Sequence, residues 1–206
     1  MYPSISEDHA LDYLMDSDRK ILSVGISTAG NAEIRMANSS TNRNIIATTI
    51  DREGALFTEK LVEEAGLSRQ ITVKVEDVKD HLPYSSNCFD FIYARLVLHY
   101  LPQSSLKSSL SELRRVLKDK GKIFVVVRSR DSKAVSNKRA TYDPETKLTT
   151  YTNEFGCSTS RFFHDIASIQ DFLKGAGFKI LHTKTYEELF CSDFKRKHLK
   201  KMMLLY

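Results

Sequence analysis

The sequence predicts an α/β fold, a mostly parallel sheet with helices on both faces, from three observations. An apolar run, Ile21-Leu22-Ser23-Val24, ends at Gly25 and turns through Ile26-Ser27-Thr28-Ala29-Gly30 into a helical stretch. A second run, from Asn44 to Ile50, closes on Asp51. A third, Ile123-Phe124-Val125-Val126-Val127, is continuously apolar and β-branched, the pattern of a strand buried on both faces. Strand, tight turn, helix, strand and acid make a unit of dinucleotide-binding type. The acid falls about twenty residues past the turn, where such folds grip ribose hydroxyls.

The elements follow in order. Residues 5–16 place Ala10, Leu11, Leu14 and Met15 at helical spacing, with Glu7 and Asp8 in the first turn. An Asp16-Ser17-Asp18 turn leads to a strand over 20–25, then a helix over 30–38 and a strand over 44–50. Residues 52–66 carry Ala55, Leu56, Leu61, Val62 and Ala65 on one helical side and stop at Gly66. Ile71 to Val75 alternate as a strand, and the turn-rich Leu82-Pro83-Tyr84-Ser85-Ser86-Asn87 leads into a strand over 89–94. A helix over 103–118 ends at Lys120-Gly121, and a strand runs over 122–128. Residues 129–160 are rich in Ser, Thr, Asn and Lys with no helical face, which predicts a mobile cover. Pattern resumes with a helix over 165–175, a strand over 178–186 and an apolar run of strand length at 202–206. The expectation is one domain, 1–206, with 129–165 as a substrate-covering insertion.

Composition narrows the function classes. An apolar fraction of 41% and a charged fraction of 28% describe a globular chain with a real core. The net charge of +5 gathers at Lys195-Arg196-Lys197-His198 and Lys200-Lys201, which reads as a solvated face, with a footing for RNA phosphates as the alternative. No apolar run approaches the ~20 residues that span a bilayer, and Met1-Tyr2-Pro3-Ser4 lacks a signal pattern. Cys88, Cys157 and Cys191 are scattered and lack CxxC spacing, so neither disulfides nor a metal site is expected, and the compartment is the reducing cytoplasm. A monomer or homodimer is expected.

Several phrases together resemble class I S-adenosylmethionine-dependent methyltransferases, in the small-molecule branch typified by ubiquinone/menaquinone-biosynthesis and tellurite-resistance enzymes. They are Leu82-Pro83-Tyr84, Asn87-Cys88-Phe89-Asp90, Val97-Leu98-His99-Tyr100-Leu101, the stretch Glu112-Leu113-Arg114-Arg115-Val116-Leu117-Lys118-Asp119-Lys120-Gly121-Lys122, and Gly175-Ala176-Gly177-Phe178. The resemblance runs over about 20–128. It implies a Rossmann-like three-layer sandwich with a seven-stranded sheet in the order 3-2-1-4-5-7-6, its last strand antiparallel and supplied by 202–206. It also implies S-adenosyl-L-methionine as cofactor and a small-molecule acceptor.

Carried over position by position, the family's Asp-x-Gly-x-Gly-x-Gly reads here as Ser23, Gly25, Ser27 and Ala29, with Gly30 one place late. The glycine motif is degenerate, and the acid at Ser23 is lost, which removes a usual partner of the cofactor's amino group. Asp51, with Arg52 beside it, matches the ribose acid, since a carboxylate accepts both hydroxyl protons. Asp51 is also placed to cap the next helix. Asp77-Val78 matches the pair that borders adenine, and Ala94-Arg95 lies at the carboxyl end of the fourth strand. His99, Tyr100 and His164 are the candidates for base or acceptor ligand, against a packing or capping role for each. An Asn/Asp-Pro-Pro-Tyr/Phe motif does not follow the fourth strand, which argues against the amino-methylating nucleic-acid enzymes that use it to hold the target amine. Two rival classes remain: a cofactor-free binding partner of the same fold, favoured by Ser23, Ser27 and Ala29, and an RNA methyltransferase using the basic tail.

Overall fold

The computed structural model describes residues 4–26, 30–131, 140–152, 158–191 and 197–205, with side chains described as far as residue 187. At its centre is β1 (Lys20–Val24), in which Ile21 and Leu22 are fully buried and Ser23 and Val24 nearly so. β1 pairs in parallel with β2 (Asn44–Thr49) on one side and β4 (Phe89–Arg95) on the other. β3 (Ile71–Val75) extends the sheet beyond β2, and β5 (Leu117–Arg128) extends it beyond β4. The last two strands, β9 (Thr183–Cys191) and β10 (Lys197–Leu205), complete a seven-stranded sheet in the order β3-β2-β1-β4-β5-β10-β9. β10 is antiparallel to both neighbours, with Met202 opposite Arg128, so residues 202–205 form the expected final strand.

Period-2 alternation along the strands feeds two cores. Ile21, Ala47, Phe91, Tyr93, Phe124 and Val126 lie beneath α1 (Ile5–Asp12), α2 (Asn31–Asn38) and α3 (Arg52–Glu64). Leu22, Val24, Ile92, Ala94, Val125 and Val127 lie beneath α4 (Gln103–Val116) and α5 (Ile166–Gly175). The three-layer α/β sandwich is as the sequence predicts.

Four boundaries differ, each for a local reason. α1 ends at Asp12 instead of 16, because the Tyr13 carbonyl accepts from Lys122 Nζ at 2.8 Å and the Met15 N–H donates to Asp18 Oδ2 at 2.9 Å. β5 starts at Leu117, directly after α4, and its register on β4 then jumps from Leu117 to Lys122. The predicted strand at 178–186 starts only at Thr183. Gly177 (φ +88°) donates to the Lys174 carbonyl and Phe178 to that of Leu173, a Schellman cap of α5 that turns Phe178 into the core beside Leu173. The stretch 129–160 holds a second, three-stranded antiparallel sheet of β6 (Ala140–Tyr142), β7 (Thr149–Thr152) and β8 (Ser158–Arg161). Its strands are Thr- and Ser-rich, so their pairing leaves no apolar alternation to read.

Glu112 pins the approach to β4. Its carboxylate accepts from the Leu82 N–H at 2.8 Å and from Arg115 Nη2 at 2.6 Å and Nε at 2.8 Å. Arg115 in turn donates to the carbonyls of Tyr84 at 2.8 Å and Leu82 at 3.1 Å. Arg115 first, opposed by partial burial, holds the Glu112 carboxyl down to about 2 from 4.5. A carboxyl lowered by folding stabilises the protein above its unfolded value, and that contribution fades as pH falls from 4.5 toward about 2. Glu112→Gln should therefore cost about 1–3 kcal/mol at neutral pH and flatten acid unfolding within that window, as followed by circular dichroism.

Candidate cofactor site

Parallel pairing in register sets the ends of β1, β2 and β3 on one edge, Val24 opposite Thr48 and Thr49 opposite Val75. The residues that follow them are Gly25, Asp51 and Asp77, so one edge gathers the three positions. Gly25 adopts φ +72°, and its N–H and that of Ile26 both donate to the Thr48 carbonyl at 2.9 Å. A Cβ there would stand 2.5 Å from Val97 Cγ2, so only glycine lets the chain after β4 cross this turn. Asp51 caps α3, its Oδ1 accepting from the Glu53 N–H at 3.1 Å, and is otherwise exposed at the sheet edge. Gly54 makes room for it, since a Cβ there would meet Asp51 Oδ2 at 2.7 Å. Asp77 is half-buried, accepts from the Lys79 N–H at 3.0 Å and pairs with Lys79 Nζ at 3.0 Å, while Val78 is buried beside it.

A second acid lies against Ser23. Glu33, on α2, is 1% exposed, and its Oε1 accepts a short hydrogen bond from Ser23 Oγ. Its Oε2 has no hydrogen-bond partner among the described residues. Burial raises its pKa, with the Ser23 hydrogen bond opposing. A carboxylate thus stands beside the position where the family carries one, reached from the helix instead of the strand. Glu33, Glu7, Gly25, Ala32, Tyr93 and Arg95 line a small cleft beneath the turn.

Against known proteins, the family model of the methyltransferase domain matches residues 22–125, just over half of the chain. The chain belongs to the methyltransferase-domain family. An uncharacterized protein of Methanocaldococcus jannaschii is 33% identical over 105 residues, and the match covers 51% of this chain but only 37% of that protein. A Pyrococcus horikoshii protein of known structure superposes with a TM-score of 0.75 at 13% identity, over 97% of this chain and 86% of the other. A SAM-dependent methyltransferase of Methanosarcina mazei superposes with a TM-score of 0.70 at 18% identity, over 100% and 97%. These two likenesses speak to the fold.

Membership in the methyltransferase-domain family implies S-adenosyl-L-methionine as cofactor, and the edge fits it. Asp51 offers a carboxylate beyond β2, Asp77-Val78 a carboxylate and an apolar surface beyond β3, and Glu33 an unpartnered buried oxygen beneath the turn. Ser27 and Ala29 lie outside the described residues. Arg52 is exposed, on the first turn of α3. Ala94 is fully buried, and Arg95 binds α1 through Ser6 Oγ at 2.6 Å, Ser4 Oγ at 2.8 Å and Glu7 at 3.3 Å. Between them and Val97, Leu96 holds φ +59°, a left-handed strain of about 1–2 kcal/mol for a residue with a side chain.

His99 is fully buried, its ring 4.6 Å from that of the more exposed Tyr100. His164 is fully buried against Phe162, rings 4.2 Å apart, and burial pushes its pKa down to about 4. Among the described residues no group of His, Cys, Asp and Glu is arranged to hold a metal. No described helix is long and apolar enough to cross a membrane. Cys157 lies outside the described residues, Cys88 is a free thiol, and the side chains of Cys191 and the basic stretch 195–201 are not described.

Sequence reasoning missed Glu33, although a signal was there. Glu33 shares a helical face with Met36 and Ala37, three and four residues on, and a carboxylate on an apolar face is a site candidate.

Two outcomes follow. Asp51→Ala should weaken S-adenosylhomocysteine binding at least tenfold by calorimetry, since a charged hydrogen bond is worth about 1.5–3 kcal/mol. It should also lose about 1 kcal/mol of stability from the cap, whereas Asp51→Asn keeps the cap and loses only affinity. Glu33 is a carboxyl raised by folding, so its cost to stability appears as pH rises through the unfolded value and is complete above the folded one. Glu33→Gln should accordingly raise the melting temperature of the free protein at neutral pH while weakening cofactor binding.

Proposed function

We propose that this chain transfers a methyl group from S-adenosyl-L-methionine to a small-molecule acceptor, as an enzyme of the cytoplasm. The observation that carries the reading is the row of Gly25, Glu33, Asp51 and Asp77-Val78 on one sheet edge in a methyltransferase-family domain. Bound cofactor supplies a methyl group already activated by the positive charge on sulfur, so the protein's task is alignment and exclusion of water. Asp51 accepts the ribose hydroxyl protons, Asp77 and Val78 flank the adenine, and Glu33 answers the amino group in place of the acid missing at Ser23. That last assignment favours a cofactor-binding enzyme over the reading as a cofactor-free partner subunit.

The insertion 129–165 covers the acceptor. It leaves the sheet at Arg128 and returns through Phe162 and Phe163, both buried, so its ends are anchored while β6, and β7 after the buried Thr149, carry exposed and half-buried residues. Closure of such a segment excludes water from the transfer. A base is needed only if the nucleophile carries a proton. Tyr100, the most exposed of the three candidates, meets an acceptor most directly, whereas His99 and His164 are fully buried and shape the pocket from behind.

Titration of the purified protein with S-adenosylmethionine and S-adenosylhomocysteine tests the reading, with binding of both at micromolar affinity expected; absence of both would sink it. Hydrogen exchange over 129–161 should show the β6–β8 ladder only partly protected in the free protein, more so with S-adenosylhomocysteine and fully once an acceptor is added. Strong protection from the start would make the insertion a fixed element instead of a cover.

A further inference from the structure

Arg128 ends β5 and Arg161 ends β8, and the two residues are only 6% and 9% exposed. A guanidinium stays charged at any physiological pH and loses hydration on burial, so a buried one ordinarily meets a carboxylate. Among the described residues none reaches either arginine, and the Nε and Nη1 of both have no hydrogen-bond partner. Arg161 Nη2 donates to Tyr100 Oη at 3.0 Å, and its Cζ stands 5.0 Å from the ring centroids of both Tyr100 and Tyr151. Two aromatic rings therefore fix the fork without neutralising it. Burial, and then the charge of Arg161, hold Arg128 down to about 9, with Tyr100 opposing. Two cations are thus both buried with donors unused.

The backbone puts this pair at the working edge. Phe162 N–H donates to the His99 carbonyl at 2.7 Å, His164 N–H to the Arg128 carbonyl at 3.0 Å, and Arg130 N–H to the His164 carbonyl at 2.9 Å. The segment after β8 is thereby laced across the end of β5. Leu96, just past β4, donates to the Val126 carbonyl at 2.8 Å, two residues before Arg128. The pair therefore stands on the edge that carries Gly25, Asp51 and Asp77, on its β5 side.

We propose that Arg128 and Arg161 form a seat for an anionic group, a carboxylate or a phosphate, on the methyl acceptor. That the ligand is the acceptor rests on the methyl-transfer reading; that it is an anion rests on the arginines alone. Unused N–H donors on two planar forks suit an oxyanion with two or more oxygens. The Tyr100 hydroxyl accepts from Arg161 and keeps its own proton to donate to a bound oxygen. A cationic acceptor group would be repelled here.

A nearby groove of about 690 Å³, lined by Lys107, Lys147, Arg130, Asp171, Phe162 and Phe172 among others, provides the control. Its lysines are exposed and Arg130 is paired with Asp165 at 3.3 Å, so it is a solvated surface.

The test is calorimetric titration of the full chain with malonate and, separately, with inorganic phosphate, at neutral pH and fixed ionic strength in sodium chloride. Saturable binding of either supports the seat, and the tighter of the two names the carboxylate or the phosphate class. Arg161→Gln should weaken it at least tenfold. Arg161→Lys, which keeps the charge and loses the planar fork, should weaken it severalfold, and Lys107→Gln should leave it unchanged. No binding beyond the chloride background, or binding in both Arg161 variants as tight as in the wild type, overturns the proposal. The same wild-type sample is titrated with S-adenosylhomocysteine. Anion binding without cofactor binding leaves the seat standing and removes the methyl-transfer reading, and the reverse result removes the seat alone.

Discussion

The fold depends on β1 being paired on both sides and buried on both faces. Ile21 and Leu22 are fully buried, and β2 and β4 flank the strand in parallel. The order β3-β2-β1-β4-β5 means that the crossovers leave β1 in opposite directions, so the chain parts at its carboxyl end. A crevice opens at such a switch point as a consequence of topology, before any side chain is chosen for chemistry. Gly25 sits at that point. Its left-handed turn and missing side chain let Val97 cross from the far side of the crevice, which ties the two halves of the sheet together where the ligand must pass.

Charge is concentrated at the same edge, in a form that free folding would disfavour. Glu33 is buried with one oxygen unpartnered, and Arg128 and Arg161 are buried with donors unused. Leu96 holds a left-handed backbone between them. Other buried or half-buried charges meet an opposite one: Arg35 with Asp8 at 2.5 Å, Lys122 with Asp18 at 3.2 Å and Arg115 with Glu112 at 2.6 Å, while the buried Arg43 is satisfied by carbonyls such as that of Met36 at 2.9 Å. Leaving a buried charged group unmatched costs free energy that a structural role does not require, so Glu33, Arg128 and Arg161 point to ligands. The carboxylate lies on the β1 side and the guanidinium pair on the β5 side, which suits an amino group on one ligand and an acid on the other.

The rest of the sequence supports that edge from behind. Glu112 and Arg115 on α4 clasp the backbone at Leu82 and Tyr84, and the Tyr84 hydroxyl donates to both oxygens of Glu76. Burial and the neighbouring Glu76 push the Tyr84 hydroxyl's pKa well up, so it remains a donor. The segment between β3 and β4 is held at both ends, and Asp77-Val78 at its start inherits a fixed position. The phrase Glu112-Leu113-Arg114-Arg115 therefore has a physical reason: it fastens the loop that follows Asp77-Val78.

What the sequence by itself determined was local. The apolar runs, the Gly25 turn and the helix cap at Asp51 each depend on a few adjacent residues, and they are enough to place the sheet and its ligand edge. Tertiary structure decided whatever needs partners far apart in the chain. Ser23 looks like a lost acid until α2 folds over and presents Glu33 to it. Arg95 is an isolated cation in the sequence until α1 arrives with Ser4, Ser6 and Glu7. Arg128 and Arg161 are two unremarkable strand ends until the insertion folds back and both are shut away from water. The difference is burial: composition and spacing show which groups a chain carries, and only packing decides which are stripped of water and left without a partner.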